Sequence, residues 1–474
     1  MNFIIYDIIL LVIFAVFVSV FLYRNRKNLK REGLLFLYKA SWGIKLINYI
    51  GNKYKRTLKV LSYVSIITGF ILMGFMLYFL GRLIWIYLFF PEIVRLVKIP
   101  PIMPLIPYLP QVFKLNFLPP FYFTYWIVIL AVIAISHEFA HGIFAAYNKI
   151  KIKTTGFGFF PFFLPVFLAA FVELDEKKMA KHKKLEQMTI LSAGTFANVI
   201  CAGVFLLVLW GFFSLAFIPG GVIFNSYSYN VVETGSINNI NGINLTNPNY
   251  TQVASLINDS GFNNIQVGKQ KFIITKNLFD SQKQGNLLAL YYDAPAVRYS
   301  LGNIITNVDG EEINSVEELS SIFGKKSPGD VVYIKAIDND VVKEYEITLT
   351  EDPETPGRAI LGVMLISRDN SGIIGKISSI VTSFKDEHIY YKSRWDGWSM
   401  FIYDLLWWLV LISISVALVN MLPVGIFDGG RFFYLSVLGI TRSQKIAKWA
   451  FSAMTYIFLF ILALVMVFWA KSFF

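Results

Sequence analysis

The sequence predicts a polytopic α-helical membrane protein, with about six transmembrane helices plus a re-entrant hairpin and an inserted extracytoplasmic α+β domain. Three observations predict it. Of 474 residues, 55% are hydrophobic and 16% charged, against about 45–50% and about 25% in an average soluble domain. Six stretches approach or exceed the roughly 20 apolar residues that cross about 30 Å of hydrocarbon. The basic residues gather at one end of these stretches. Forty-four Phe, 25 Tyr and 10 Trp could not be solvated on the outside of one globule, which excludes a disordered chain and an ordinary cytosolic domain. The single cysteine, Cys201, excludes an intramolecular disulfide framework and a Cys-rich zinc module. The net charge of +12 admits nucleic acid, an acidic membrane surface or orienting loops, and the position of the charges decides between them.

Residues 8–23 form the first span, led in from Phe3 and broken only by Asp7. With no positive n-region and no small-residue cleavage site, this stretch reads as a retained anchor. Arg24, Arg26, Lys27, Lys30, Arg31, Lys39, Lys45, Lys53, Lys55 and Arg56 follow, opposed only by Glu32, and read as a cytoplasmic loop. Residues 58–90 return outward. Seven prolines from Pro100 to Pro120 exclude a regular helix there. Residues 121–148 cross inward. Residues 156–172 are apolar, but Gly156, Gly158, Pro161 and Pro165 interrupt a helix, and irregular backbone at membrane depth must be buried or wetted. A re-entrant hairpin is the reading. After Lys177, Lys178, Lys181, Lys183 and Lys184 come an outward span over 188–218, an inward span over 397–422 and an outward span over 446–470. Every basic cluster then falls on the cytoplasmic face, and both termini lie outside.

Residues 222–368 are polar, rich in Asn, Asp, Ser and Gly, and read as a soluble domain. Leu301–Val308 reads as a strand, Asp309-Gly310 as a turn, and Ser315 to Glu318 as a capping box opening a helix through Phe323. Pro328-Gly329-Asp330 turns into a strand over 331–337, and Asn339-Asp340 into another over 341–349. The pattern Ile237, Ile240-Asn241-Gly242, Leu245 recurs as Ile305, Val308-Asp309-Gly310, Ile313. This is either a faint repeat of one strand-turn-strand unit or two unrelated turns.

The third span contains His137-Glu138-Phe139-Ala140-His141. Two His four apart on a helix differ by about 40° of rotation and about 6 Å of rise, so both imidazoles reach one Zn²⁺ from the same face. Glu138 is placed to take a proton from a water that zinc acidifies to a pKa of about 7. An ionisable group within a span costs at least about 2.5–3.5 kcal/mol and reads as functional by default; only four His occur in the chain, and two are here. The competing reading is a pair of core His bonded to neighbouring helices. A hydrolytic zinc wants a third protein ligand and an open position. His182 lies among lysines and His388 on the other side of the membrane. Asp428, in Asn420-Met-Leu-Pro423-Val-Gly-Ile-Phe-Asp428-Gly429-Gly430-Arg431, matches the histidines in depth; Glu173 is the runner-up.

At these residues the sequence resembles the site-2 proteases, intramembrane zinc metalloproteases of the PDZ-containing type. The resemblance rests on His137-Glu138-x-x-His141 with Ala145, on Asn420-x-x-Pro423-x-x-x-x-Asp428-Gly429, on Gly194-x-x-x-Asn198, and on a PDZ-like domain inserted between the second and third core spans. It covers residues 121–470. It implies zinc held by His137, His141 and Asp428, with Glu138 as catalytic base. It implies also that Asn198 and Asn420 line the site, where one or both are expected to bond the scissile carbonyl or substrate backbone; interhelical bonding is the alternative for each. Gly156 and Gly158 fall where the family has a membrane-embedded strand that pairs with extended substrate. The PDZ-like region is longer than one module, and its peptide-binding loop is not recognisable.

The expected organisation is two additional spans with a basic loop and a Pro-rich segment (1–120), the first part of the catalytic membrane core (121–221), a PDZ-like region of one or two modules (222–368), a linker (369–396) and the second part of the core (397–474). The expected function is zinc-dependent, regulated intramembrane proteolysis of membrane-anchored protein substrates, with the lipid bilayer as surroundings and no nucleic-acid partner. The expected location is a multi-pass cell membrane protein with its active site toward the cytoplasm. A membrane-anchored PDZ-like sensor without protease activity is the alternative. A metal transporter would need a polar path through several spans, and the span over 188–218 holds no charged residue.

Overall fold

Each of the six apolar stretches forms a helix, because a helix alone satisfies all its backbone groups internally where no water reaches them. In the computed structural model, which describes residues 3–32, 35–90, 94, 103–115, 118–159, 168–282, 285–367 and 371–471, these are Phe3–Arg24, Lys55–Phe89, Phe123–Tyr147, Lys184–Ala216, Asp396–Asn420 and Gln444–Lys471. All are long and apolar enough to cross a membrane. Their outward faces leave Phe17, Ile67, Leu207 and Phe460 exposed, as a lipid-facing surface requires. Pro100, Pro101, Pro161 and Pro165, with the turn of the expected hairpin, lie outside the described residues. The chain divides into two compact units, Met1–Gly211 with Phe401–Phe474, and Phe212–Met400.

In the first unit the stretch after the first helix, read from its charges as a loop, is structured. Strands β1 (Leu29–Glu32), β2 (Leu35–Ala40), β3 (Ile152–Phe159) and β4 (Leu168–Leu174) form one sheet in that order, antiparallel throughout. Next, helix Ile44–Lys53 buries Ile47 completely in a cluster with Ala146 and Ile152, against Phe139 and Ile143. Its apolar face therefore lies on the helix that carries His137 and His141.

The first helix grips the other end of the same element. Asp7 is 1% exposed and accepts the backbone N–H of Phe123 at 2.7 Å and of Thr124 at 2.9 Å, as well as the hydroxyls of Thr124 and Tyr108. The local capping position of helix Phe123–Tyr147, Tyr122, offers no side-chain cap. Asp7 supplies one from a helix more than a hundred residues away in sequence. The Pro-rich segment is fastened as well: Trp126 Nε1 donates to the Leu105 carbonyl at 2.9 Å and Trp408 Nε1 to the Pro120 carbonyl at 3.1 Å.

The second unit contains two six-stranded sheets, the first built from residues 229–292 and the second from 217–223, 304–338, 341–348 and 389–393. The expected turns are present in each. Asn241-Gly242 and Asp309-Gly310 adopt φ values of 51° and 88°, and 52° and 88°, linking strand Ile237–Ile240 to Ile243–Asn244 and strand Ile304–Val308 to Glu311–Glu312. The equivalence extends to hydrogen bonds. Leu245 N–H donates to the Asn238 carbonyl and Ile313 N–H to that of Thr306, each at 2.9 Å. The Asn241 and Asp309 side chains accept from Asn264 N–H at 2.9 Å and Tyr333 N–H at 2.8 Å. The two turns thus share one bonding pattern. Each turn is followed by a capped helix: Tyr250–Ser255 behind Asn249, and Val316–Phe323 behind Ser315. Beside Ser315, however, Glu318 reaches back to Asn314 N–H and not to that of Ser315, one residue beyond a strict capping box.

Asp7→Ala leaves two backbone donors of a buried helix end without a partner, and should lower stability by about 2–4 kcal/mol. Thermal unfolding in detergent should show a lower midpoint for Asp7→Ala and a smaller drop for Asp7→Asn, which keeps one acceptor oxygen.

Candidate metal centre

Helical spacing in Phe123–Tyr147 brings His137 and His141 onto one face, where they are 7% and 8% exposed. Their Nε2 atoms are 3.0 Å apart. Asp428 reaches them from the first turn of helix Asp428–Thr441, its Oδ2 lying 3.5 Å from His137 Nε2 and 3.2 Å from His141 Nε2. Glycine permits that approach. A Cβ on Gly429 would collide with the backbone of Met421 and Leu422, so the turn after Asn420 packs directly on the helix end that presents Asp428.

Three donor atoms separated by 3.0, 3.2 and 3.5 Å can be tested against a tetrahedral zinc. Ligands at about 2.0–2.1 Å from the metal stand about 3.3 Å apart. The observed triangle brackets that value, and two imidazoles with one carboxylate are an ordinary zinc donor set, so the residues fit the ion. The nitrogens away from the triangle are engaged: His141 Nδ1 lies 2.6 Å from the Ile190 carbonyl, and His137 Nδ1 lies 3.0 Å from the terminal amide of Asn198.

The Glu138 carboxylate lies within 4.8 Å of both imidazoles and accepts Val172 N–H at 2.9 Å. Val172 belongs to β4, the last strand of the sheet, which pairs with no further strand among the described residues. A cavity of about 400 Å³ is lined by Glu138, His141, Val172, Phe427, Asp428 and Arg431 among others, so Glu138, two members of the donor triangle and the strand edge share one space.

The other sequence-nominated residues fall differently. Glu173 also lines the cavity, but its carboxylate is held by Lys39 at 2.6 Å and Thr154 at 2.8 Å. The Lys39 hydrogen bond keeps the Glu173 carboxyl below the usual carboxylate range. It is an ion-pair partner of β2 and not the third donor. Asn198 is fully buried and stands behind His137. Asn420 ends helix Asp396–Asn420 and makes no side-chain hydrogen bond among the described residues.

Gly156 and Gly158 require a correction. Both lie in β3, and β3 is paired on both sides: Gly156 with Lys39 and Phe171, Gly158 with Leu37 and Ala169. A Cβ on Gly156 would run into the Tyr38 carbonyl. Gly156 therefore admits β2, and β3, paired on both sides, leaves no edge at either glycine for a substrate strand. Sequence reasoning missed β2 because its only partner across the sheet from β1 is β3, more than a hundred residues away. It missed as well the contributions of Ile190 and Val172, which act through backbone atoms and carry no side-chain signal.

Residues 125–465 match the profile of Peptidase family M50. A protein of uncharacterised function from Methanocaldococcus jannaschii is 33% identical over 197 residues, 41% of this chain and 48% of that protein. The match thus spans about half the length of this curated relative. The family match, by contrast, covers well over half of the present chain and contains both histidines, Glu138 and Asp428, and on that coverage the chain belongs to peptidase family M50, the site-2 protease family of membrane metallopeptidases.

Proposed function

We propose that this protein is a zinc-dependent intramembrane peptidase that hydrolyses peptide bonds within or near the transmembrane segments of membrane-anchored proteins. The observation that carries the reading is the triangle of His137 Nε2, His141 Nε2 and Asp428 Oδ2 beside Glu138 on an apolar helix. Zinc bound by these donors would polarise the scissile carbonyl and acidify the attacking water. Glu138 takes the proton from that water and returns it to the leaving amine.

A transmembrane substrate must unwind to expose a peptide bond, and the freed backbone groups need partners in a place without water. The open edge of β4 supports the idea that an added substrate strand supplies them. Val172 N–H, now bonded to Glu138, is the donor such a strand would take over, and this would free the carboxylate as the substrate arrives. The basic stretches before Ile44–Lys53 and before Lys184–Ala216 support a cytoplasmic active site, with the inserted PDZ-like region outside. There it would regulate access to the site by excluding bulky ectodomains or recognising trimmed ones.

Two measurements test the reading. The purified chain should carry one equivalent of zinc, lost in His141→Ala and kept in His182→Ala. Cleavage of a single-span reporter protein in detergent should fall by about 10²–10⁴-fold in Glu138→Gln with zinc content unchanged. Cleavage at the wild-type rate would overturn the mechanism and favour the anchored-sensor alternative.

A further inference from the structure

Ile190, Gly194 and Asn198 follow one another at four-residue intervals along helix Lys184–Ala216, so they share one face over successive turns. All three meet the two histidines. We infer that this face is the wall that fixes the metal site: Ile190 and Asn198 set the tautomers of His141 and His137, and Gly194 keeps open the volume in which the ion sits. The inference rests on the zinc reading above and extends it to residues that bind no metal themselves.

The argument for His141 is independent of any metal. A carbonyl oxygen only accepts, so with Ile190 O at 2.6 Å the proton of a neutral His141 sits on Nδ1. Its Nε2 lone pair then faces Asp428 Oδ2 at 3.2 Å, also an acceptor. Two acceptors this close need a proton or a metal ion between them, and the zinc of the reading above is the ion that would fill the place.

His137 stands in the mirror situation. Its Nε2 faces the same carboxylate, so to offer a lone pair it must carry its proton on Nδ1 and find an acceptor there. The amide of Asn198, 3.0 Å away, is the group at that nitrogen. Which of its two ends faces the ring decides the tautomer. With Nδ2 toward His137, Asn198 Oδ1 is a buried oxygen without a partner. With Oδ1 toward His137, the oxygen accepts Nδ1–H and the Nε2 lone pair turns to the metal. Asn198 is thus a positioning residue, acting on the ion through His137.

Gly194 lies between the two contacts. A Cβ at this position would stand 2.5 Å from His137 Nε2 and 2.6 Å from its Cδ2, and would overlap His141 Nε2 also. A single methyl group would therefore stand where the two lone pairs converge.

The test measures zinc retention by the full-length protein against a competing chelator, with the d–d spectrum of the cobalt-substituted form and the thermal midpoint alongside. Asn198→Leu should weaken zinc binding by about 10–100-fold, and Asn198→Asp, which retains an acceptor oxygen, should restore it to within a few-fold of wild type with a wild-type-like cobalt spectrum. Gly194→Ala should elute as the wild-type particle yet fail to retain zinc. Asn198→Leu holding zinc as tightly as wild type would overturn the inference, as would Leu and Asp variants equally weakened with lowered midpoints, the pattern of an interhelical bond only. Zinc held normally by Gly194→Ala would overturn its second half. A wild-type protein that binds no zinc would instead refute the metallopeptidase reading itself.

Discussion

Three possible metal-donor atoms converge in the membrane part of this protein. The His137 and His141 Nε2 atoms and the Asp428 carboxylate lie within 3.5 Å of one another, in a region where an unpaired charge is costly. That arrangement needs a proton or a metal cation between its members, and much of the surrounding structure serves to hold it. Helix Asp428–Thr441 begins at the carboxylate, so the positive end of its dipole supports the negative charge. Gly429 lets the preceding turn close over that helix end, and helix Lys184–Ala216 backs both imidazoles.

The same constraint explains why the N-terminal segment is bound so tightly to the catalytic helix. The family match starts at residue 125, yet residues well before it hold Phe123–Tyr147 at both ends. Asp7 closes the N-terminal turn, and Ile47 packs against the turns that follow His137. A helix free to rotate by even a fraction of a turn would swing both imidazoles away from Asp428. β2 adds a third restraint: it pairs with β3 along five residues and ties Lys39 to Glu173 of β4, the strand that touches Glu138. The addition thus pairs one side of β3, while β4, beside Glu138, pairs with no further strand among the described residues.

Legibility in the sequence followed the range of the interaction. The six spans were visible because a long apolar run is its own signal, and the His pair because a four-residue interval on a helix is geometry. The paired turns Asn241-Gly242 and Asp309-Gly310 were visible because a turn is written in adjacent residues. Asp428 could be nominated because an unfilled donor position in an apolar chain has few claimants. What escaped depended on partners far along the chain. Asp7 looked like a blemish in a span, since its donors sit at residues 108, 123 and 124. β1 and β2 were hidden under ten basic residues that say much about orientation and nothing about pairing. Asn198 was legible as a polar residue within a span but its contact with His137 was not, because such a residue reads the same whichever neighbour it faces.

The contact between Glu138 and Val172 joins the two halves of the proposed chemistry. A general base buried in an apolar helix needs a hydrogen-bond partner at rest, or its charge is unsupported. Here the partner is a backbone N–H on the open edge of the sheet, the same kind of group that an incoming strand would engage. On the proposed reading the base is at rest while that edge is empty and would lose its partner if a substrate strand filled it. Water at an intramembrane metal site is a hazard as well as a reagent, since any polypeptide drifting nearby could be attacked. Selectivity can then come from the backbone alone: a helical segment presents no free carbonyl to Val172, whereas an unwound one does. On this view the enzyme distinguishes substrates first by how readily their helices open and only afterwards by side chain, which places the burden of specificity on residues that weaken a transmembrane helix near its end.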